Sequence, residues 1–219
     1  NFFFKVICIN RFIKFNQLND KNCLVISFCL YADFINAFIT KKIKKISSIR
    51  GNYEQNYKIR FGLPGVVLAF FHKKILKKIK NIIVMNSFMK KKYSKKNYNI
   101  FHINNFIEEN NISFKKKLNQ NNDLNILFIG NLNKNKKILL LLENIIILIN
   151  KQYKINFTIL GEGHFKNKIN STIKNYNLNS KIKNLGFVKK PFDMIYQSDV
   201  LILPSLFGGT SRAILESLF

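Results

Sequence analysis

The sequence is poor in several residue types, and each shortage argues against a class of protein. There is no tryptophan, and only 3 prolines and 9 glycines occur among 219 residues. Only 11 acidic residues oppose 37 basic ones, which gives a formal charge of +26. No uninterrupted apolar run reaches the roughly 18 residues that a membrane-spanning helix needs. Cys8, Cys23 and Cys29 lack zinc-ligand spacing and cannot all pair, so we expect a cytoplasmic protein with reduced thiols, Cys23 and Cys29 in its core.

Most of the positive charge comes from lysine. Lysine is one of several abundant residue types in this sequence whose codons are rich in A and T. Lysine, asparagine, isoleucine, phenylalanine and tyrosine supply 128 of the 219 residues. A nucleic-acid-binding protein is expected to use more arginine, because its planar fork contacts phosphates and guanine edges. Here 33 lysines accompany only 4 arginines. We therefore expect no nucleic-acid partner, and a lysine-rich nucleic-acid binder is the least favoured alternative.

Apolar runs alternate with segments at helical spacing, which predicts an α/β fold. In the second half, strands are predicted over residues 125–129, 155–160, 182–187 and 199–203, with helices over 136–150, 165–175, 192–197 and 211–219. In the first half, strands are predicted over 24–27, 45–49, 82–85 and 100–103, with helices over 33–42, 68–80 and 87–93. Such alternation predicts parallel sheets with right-handed crossovers.

A polar segment divides the chain into two predicted domains. We expect one α/β domain over residues 1–108, a linker over 109–123 and a second α/β domain over 124–219. The chain starts without methionine and ends inside a predicted helix, so both domains are expected to be incomplete at the chain ends.

The last segment, DVLILPSLFGGTSRAILESLF, contains the densest set of candidate binding residues. A predicted strand leads through Pro204-Ser205 and a glycine pair into a helix whose first turn holds Thr210, Ser211 and Arg212. Free N–H groups at a helix N-terminus bind anions, and Glu216 could accept hydrogen bonds from vicinal hydroxyls. An ordinary strand–turn–helix with Thr210 or Ser211 as N-cap explains the same pattern.

The order of motifs over residues 125–219 resembles the donor-binding domain of the GT-B glycosyltransferases of family 4 (glycosyl transferases group 1). The matching features are Gly130 and Lys136 in FIGNLNKNKK, Gly161 and Gly163 in LGEGHF, Gly186 in LGFV, Asp199-Val200, Pro204-Ser205 and Glu216. Asn105 in HINNFIEEN and Gly51 in SSIRGNYEQNY extend the resemblance back to about Leu24. Two positions depart from the family: Asn131 replaces a phosphate-binding arginine, and Gly208 replaces the first glutamate of Glu-x7-Glu.

The resemblance implies two Rossmann-like domains, a partial acceptor-side domain over residues 1–108 and a partial nucleotide-sugar-binding domain over 124–219. It implies a retaining hexosyltransferase that moves a sugar from a nucleotide-diphosphate-sugar to an acceptor hydroxyl, in surface polysaccharide or lipopolysaccharide synthesis. It implies that Lys136 neutralises the leaving diphosphate and that Glu216 binds the ribose, and these two are the expected catalytic residues. The expected donor-binding residues are Gly130, Lys136, Phe187, Val188, Gly209, Thr210, Ser211, Arg212 and Glu216. No Asp-x-Asp pair occurs, so we expect neither a metal ion nor another cofactor.

Two other functions remain open alongside sugar transfer. The missing glutamate at Gly208 and the incomplete chain ends are compatible with an inactive or binding-only remnant of a GT-B protein. A GT-B nucleotide-sugar epimerase shares the nucleotide site, although the carboxylates and the histidine that it needs in the cleft are not recognisable here. Each of the three histidines, His72 among them, is expected on the surface or hydrogen-bonded in the core.

Residues 68–80 predict a basic amphipathic helix that contacts an anionic membrane. The apolar side is formed by Leu68, Phe71, Ile75, Leu76 and Ile79, and five lysines take the other side. The expected partners are thus a nucleotide-sugar donor, a lipid-linked or saccharide acceptor and the inner face of the plasma membrane. The competing interpretation is that the apolar side packs on the domain's own sheet.

Overall fold

The computed structural model describes residues 2–40, 42–95, 97–107, 123–206 and 210–218. The chain divides into two compact units. The N-terminal unit holds the described residues up to Asn105 together with Thr210, and the C-terminal unit holds the other described residues. The predicted linker lies outside the described residues except for Asp123, so its boundaries stay a prediction.

The N-terminal unit is a parallel sheet with helices between its strands. Its elements are α1 (Phe2–Phe15), β1 (Leu24–Ser27), α2 (Leu30–Phe38), β2 (Lys44–Ile49), α3 (Tyr53–Phe61), α4 (Leu63–Ile79), β3 (Asn81–Val84), α5 (Ser87–Ser94) and β4 (Asn99–His102). The four strands pair in the order β1-β2-β3-β4, all parallel. Ile82, Val84 and Leu76 are fully buried in its core.

The C-terminal unit repeats this architecture with a different strand order. Its elements are β5 (Leu124–Ile129), a 3₁₀ turn (Lys134–Lys136), α6 (Ile138–Asn150), β6 (Ile155–Leu160), α7 (Lys166–Asn175), β7 (Ile182–Gly186), α8 (Phe192–Tyr196), β8 (Val200–Leu201) and α9 (Arg212–Ser217). The parallel strands pair in the order β7-β6-β5-β8. Each unit is thus Rossmann-like, which confirms the predicted fold class.

Several predicted details of the N-terminal unit are wrong. Helices α1 and α3 were not expected, and α4 begins at Leu63 instead of residue 68. The apolar side predicted to contact a membrane is mainly core, because Ile75, Leu76 and Ile79 are buried. All three cysteines are free, but Cys29 is exposed and Cys23 only half-buried. In the described part of the chain, every helix is too short or too polar to cross a membrane.

A buried polar network ties three helices and a strand of the N-terminal unit together. His72 of α4 hydrogen-bonds Asp33 of α2 through Nε2 at 2.7 Å, and its Nδ1 lies 3.0 Å from the Tyr57 hydroxyl of α3. Ser27 of β1 donates from Oγ to the other Asp33 oxygen at 2.6 Å. Asn36 Nδ2 donates to Ser27 Oγ at 2.9 Å. His72 is therefore hydrogen-bonded in the core, which confirms that expectation.

The N-terminal unit is expected to lose stability above pH 10. Burial raises the pKa of Tyr57 to about 12, with a further contribution from the Asp33 charge, and burial also raises the pKa of Tyr53. The unfolded chain releases these protons near pH 10 while the fold retains them, so the free energy of unfolding falls as pH rises. Urea unfolding at pH 8.5 and 10.5 tests this.

The matched variants for this test are Tyr53→Phe and Tyr176→Phe. The Tyr53 hydroxyl is buried and has no hydrogen-bond partner among the described residues, whereas Tyr176 is exposed. Tyr53→Phe should reduce the alkaline loss of stability, and Tyr176→Phe should leave it as in the unmodified protein. Equal alkaline losses in the unmodified protein and Tyr53→Phe would contradict the assignment.

Candidate functional site

The strand order of the C-terminal unit reverses beside β5. From β5 the chain builds β6 and then β7 on one side, and then crosses to place β8 on the other side of β5. Ile126 pairs with Val200, and Leu127 pairs with Leu201. In open parallel sheets, ligands bind outside the carboxyl ends of the strands at such a reversal. The loops that follow β5 and β8 are therefore the first place to look for a site.

Lys136 joins these two loops. Its Nζ donates a hydrogen bond to Ser205 Oγ, just after β8, at 3.1 Å. The backbone N–H of Leu206 also donates to the Asn135 carbonyl at 2.9 Å. The Asn133 side chain caps the 3₁₀ turn by accepting from the Lys136 N–H at 3.1 Å. The backbone around Lys136 is thus held locally while its ammonium group reaches across the strand reversal.

The environment of the Lys136 ammonium group favours an anionic ligand. The side chain is half-buried, and this burial lowers the pKa of the ammonium group. Its hydrogen-bond acceptor Ser205 is neutral, so the contact does not neutralise the positive charge. A partly desolvated cation gains more from an incoming anion than an exposed one, because water screens it less. Lys134, two residues earlier, is exposed.

The glycines of LGEG let the loop after β6 lie directly on the loop after β5. A Cβ on Gly161 would stand 1.9 Å from the Gly130 carbonyl oxygen, and its φ is +147°. The Gly130 N–H donates to the Leu160 carbonyl at 2.9 Å, and the Leu132 N–H donates to the Glu162 carbonyl at 2.9 Å. The Gly-x-Gly pattern therefore permits close backbone packing between the loop after β6 and the loop after β5, which contains Lys136.

Glu162, in the loop after β6, lies close to the end of β7. The Lys166 ammonium group, 2.6 Å away, lowers the pKa of the Glu162 carboxyl group, as does a hydrogen bond from the Phe187 backbone. The Phe187 ring is 74% exposed and Val188 is half-buried. The two predicted donor-binding residues that follow β7 are therefore exposed or half-buried.

Arg212 and Glu216 form an ion pair one turn apart on α9. Arg212 Nη2 donates to Glu216 Oε1 at 3.2 Å. The arginine side chain is 70% exposed, whereas the glutamate side chain is only 11% exposed. In the described part of the chain, no hydrogen bond or ion pair joins this pair to Lys136. The hydrogen bond between Lys136 and Ser205 is therefore separate from the ion pair between Arg212 and Glu216.

The other predicted donor-binding residues have varied surroundings. Gly130 directly follows β5, and a Cβ there would lie 3.8 Å from Lys136 Cε. Ser211 is the N-cap of α9 without a side-chain capping bond. Thr210 is half-buried and groups with the N-terminal unit, and Gly209 lies outside the described residues. Ser205 was missed as a site residue, although its place after a predicted strand was a signal.

The buried network of the N-terminal unit does not have the order of a nucleophilic triad. A serine nucleophile needs its hydroxyl on histidine and the histidine on the carboxylate. Here Ser27 donates to Asp33 instead, and Asp33 separates it from His72. All three residues are at most 4% exposed. The network is structural, and the C-terminal unit holds the candidate site.

Comparison with known proteins identifies the family of the chain. The family described as "Glycosyl transferases group 1" matches residues 109–218. A Campylobacter jejuni protein is 33% identical over 93 residues, which are 42% of this chain and 25% of that protein. Its name is N-acetylgalactosamine-N,N'-diacetylbacillosaminyl-diphospho-undecaprenol 4-alpha-N-acetylgalactosaminyltransferase. The chain spans about a quarter of the length of the curated relatives that it matches.

Solved structures share the fold at low sequence identity. A variant of S. aureus TarM, crystallised with fondaparinux, alpha-GlcNAc-glycerol and UDP, has a TM-score of 0.70 and 22% identity over 88% of this chain and 39% of its own. HepE of Anabaena, crystallised with UDP and glucose, has a TM-score of 0.74 and 12% identity over 97% of this chain and 59% of its own.

Proposed function

Because the chain belongs to the glycosyl transferases group 1 family, we propose that the protein transfers a sugar from a nucleotide-diphosphate-sugar to an acceptor hydroxyl with retention of configuration. The observation that carries the proposal is the Lys136 ammonium group, held 3.1 Å from Ser205 at the strand reversal. This position is where a parallel sheet of this order binds its ligand. The TarM variant and HepE, which have a similar fold, were both crystallised with UDP, and this supports a nucleotide as part of the donor.

We propose that Lys136 stabilises the transition state electrostatically. When the bond between the sugar and the diphosphate breaks, negative charge grows on the departing phosphate. A cation fixed beside that phosphate stabilises the transition state more than the ground state. Glu216 has the low exposure and acceptor oxygens suited to ribose hydroxyls, and Arg212 holds its carboxylate in place. Phe187 and Val188 supply the surface proposed for the base.

We propose a lipid-linked saccharide as acceptor and the inner face of the plasma membrane as the place of transfer. The name of the C. jejuni relative describes an acceptor carried on diphospho-undecaprenol. An acceptor of this kind stays in the bilayer, so the enzyme must come to the membrane surface. We therefore propose that the protein is a cytoplasmic enzyme that associates peripherally with the membrane. It would act in surface polysaccharide synthesis.

The nucleotide site is tested by UDP binding. We expect isothermal calorimetry to show that Lys136→Ala weakens UDP binding by about 1.5–3 kcal/mol, roughly 10- to 150-fold in Kd, because a charge-assisted contact to phosphate is lost. Glu216→Gln should weaken binding in the same direction. Lys134→Ala and Glu143→Gln remove the same charges at exposed positions and should bind as the unmodified protein does. Unchanged affinity in both site variants would contradict the proposal.

We also propose that transfer needs no metal ion. The proposal rests on the sequence, which has no Asp-x-Asp pair, and on the cation supplied by Lys136. The expected result is full transferase activity in excess EDTA, measured as release of UDP from a UDP-sugar. Loss of activity with EDTA that magnesium or manganese restores would overturn this proposal and leave the UDP-binding test unaffected.

A further inference from the structure

The second face of the C-terminal sheet carries polar side chains along β6 and β7. The first face packs apolar side chains, such as Phe157 and Ile182, against α6 and α7. On the second face, Asn156 and Thr158 are half-buried, and Lys183, which pairs in register with Thr158, is exposed. Parallel strands that are covered on both faces are apolar throughout. The alternation in β6 therefore indicates that its second face meets a polar environment.

A cavity of about 400 Å³ lies against these polar side chains. We call it the sheet cavity, and its volume is in the range of small-molecule pockets. It lies away from the proposed nucleotide site, because its lining residue Asn125 is near the amino end of β5, whereas Lys136 follows the carboxyl end. A six-residue strand is about 17–20 Å long. The side chains that the inference uses are those of Asn125, Asn156, Thr158, Ser180, Lys183 and Met194.

Hydrogen bonds hold the two asparagine side chains of the sheet cavity in place. Asn125 Nδ2 donates to Asp199 Oδ2 at 3.2 Å, and Asn156 Nδ2 donates to Asn125 Oδ1 at 3.1 Å. Lys181 Nζ donates to Asp123 Oδ2 at 2.8 Å, and this ion pair neutralises the Lys181 charge. The Asn156 side chain thus spends its donors on the protein and presents its carbonyl oxygen to a ligand.

Other lining groups of the sheet cavity are free to contact a ligand. The Thr158 and Ser180 hydroxyls and the Lys183 ammonium group make no hydrogen bond or ion pair with the residues that the structure describes. Leu185 and Met194 add an apolar side. Within the described ranges, no carboxylate lines the cavity. The cavity therefore offers an acceptor, two hydroxyls and a cation beside an apolar surface.

We infer that the sheet cavity binds a neutral saccharide. Each sugar hydroxyl both donates and accepts, which suits a carbonyl oxygen, hydroxyls and an ammonium group side by side. The C–H face of a sugar ring can pack on Leu185 and Met194. A divalent cation is a poorer occupant, because it requires oxygen ligands that include carboxylates. A nucleotide is also poorer, since its phosphates would meet only one lining lysine whose charge is not neutralised, Lys183.

The inference goes beyond the proposed transfer reaction, because it concerns saccharide binding alone. The test is an NMR titration of the ¹⁵N-labelled full chain with maltose and with N,N′-diacetylchitobiose. At least one disaccharide should shift the backbone amide signals of Asn156, Thr158 and Lys183, with a Kd of about 1 mM. Saturating UDP should leave these shifts unchanged.

Two variants test the sheet cavity in different ways. Thr158→Val keeps the shape of the side chain but removes its hydroxyl, and should weaken binding about 2- to 10-fold. Ser180→Trp, at an exposed position on the rim, obstructs the cavity and should abolish binding without changing the asparagine network. The matched controls are Thr172→Val and Ser171→Trp on α7, at half-buried and exposed positions, and both should bind as the unmodified protein does.

Several results would overturn the inference. These are the absence of shifts at the cavity residues with either disaccharide, unchanged binding in both cavity variants, equal losses in the controls, and inorganic phosphate bound as tightly as the disaccharides. The affinity for UDP should be the same in all four variants. Failure of the saccharide site is therefore distinguishable from failure of the nucleotide site.

Discussion

Lys136→Ala is expected to lower kcat for sugar transfer by about 100- to 1000-fold, the cost of removing one preorganised electrostatic contact to developing charge. The ammonium group is half-buried and hydrogen-bonded to neutral Ser205, so no other group within that contact neutralises its charge. Its contribution should grow as charge builds on the leaving phosphate. The measurement is the initial rate of UDP release over a range of UDP-sugar concentrations.

Two further variants separate a local effect of Lys136 from an effect of total charge. Lys134→Ala removes one positive charge from the same turn at an exposed position and should keep kcat near that of the unmodified protein. Ser205→Ala removes the hydrogen-bond acceptor of Lys136 and should cost less than Lys136→Ala, because the charge remains. A kcat for Lys136→Ala within threefold of the unmodified protein would contradict the role assigned to this lysine.

His72→Ala is expected to lower the free energy of unfolding by about 3–5 kcal/mol, because it leaves the Asp33 carboxylate buried without its histidine partner. Asp33 is 2% exposed, and among the described residues its carboxylate retains only the hydrogen bond from Ser27 in this variant. His72 also packs against the Tyr53 ring, with centroids 4.5 Å apart, so the variant loses contacts on both sides of the imidazole. Urea unfolding monitored by circular dichroism at pH 7 measures the change.

The control and the coupling test for this network use the same measurement. His164→Ala removes an exposed histidine and should change the free energy of unfolding by less than about 0.5 kcal/mol. The double variant His72→Ala/Asp33→Ala should be destabilised by less than the sum of the two single variants, since the second change removes the stranded carboxylate. Additive losses would indicate that the two residues contribute independently.

Strands β5 and β6 were predictable because each is a short, mainly apolar run that is followed by a glycine. The sequence pattern did not predict helix α3, for a physical reason. Helix α3, YEQNYKIRF, lacks an apolar repeat; it begins at an Asn52 cap and is held by its close contact with α4. The earlier start of α4 had a signal in Pro64, which is well tolerated in a first helical turn.

The sequence predicts candidate residues for the site, but it does not predict which residues contact one another. Lys136 was identified by its place after Gly130, but its partner Ser205 lies 69 positions away and meets it because β8 crosses over to pair with β5. That crossing depends on strand order, which local sequence patterns do not encode. Likewise, the reason for glycine at position 161 is the Gly130 carbonyl oxygen, a neighbour in space only.

The most direct test of the central claim, a donor diphosphate bound at the β5–β8 reversal, is a crystal structure of the protein with UDP. The expected result is a phosphate oxygen about 3 Å from Lys136 Nζ, with the ribose hydroxyls on the Glu216 carboxylate. In that complex the Lys136 ammonium group would turn from Ser205 towards the phosphate or bridge the two. Well-defined UDP elsewhere, with Lys136 contacting only Ser205, would contradict the claim.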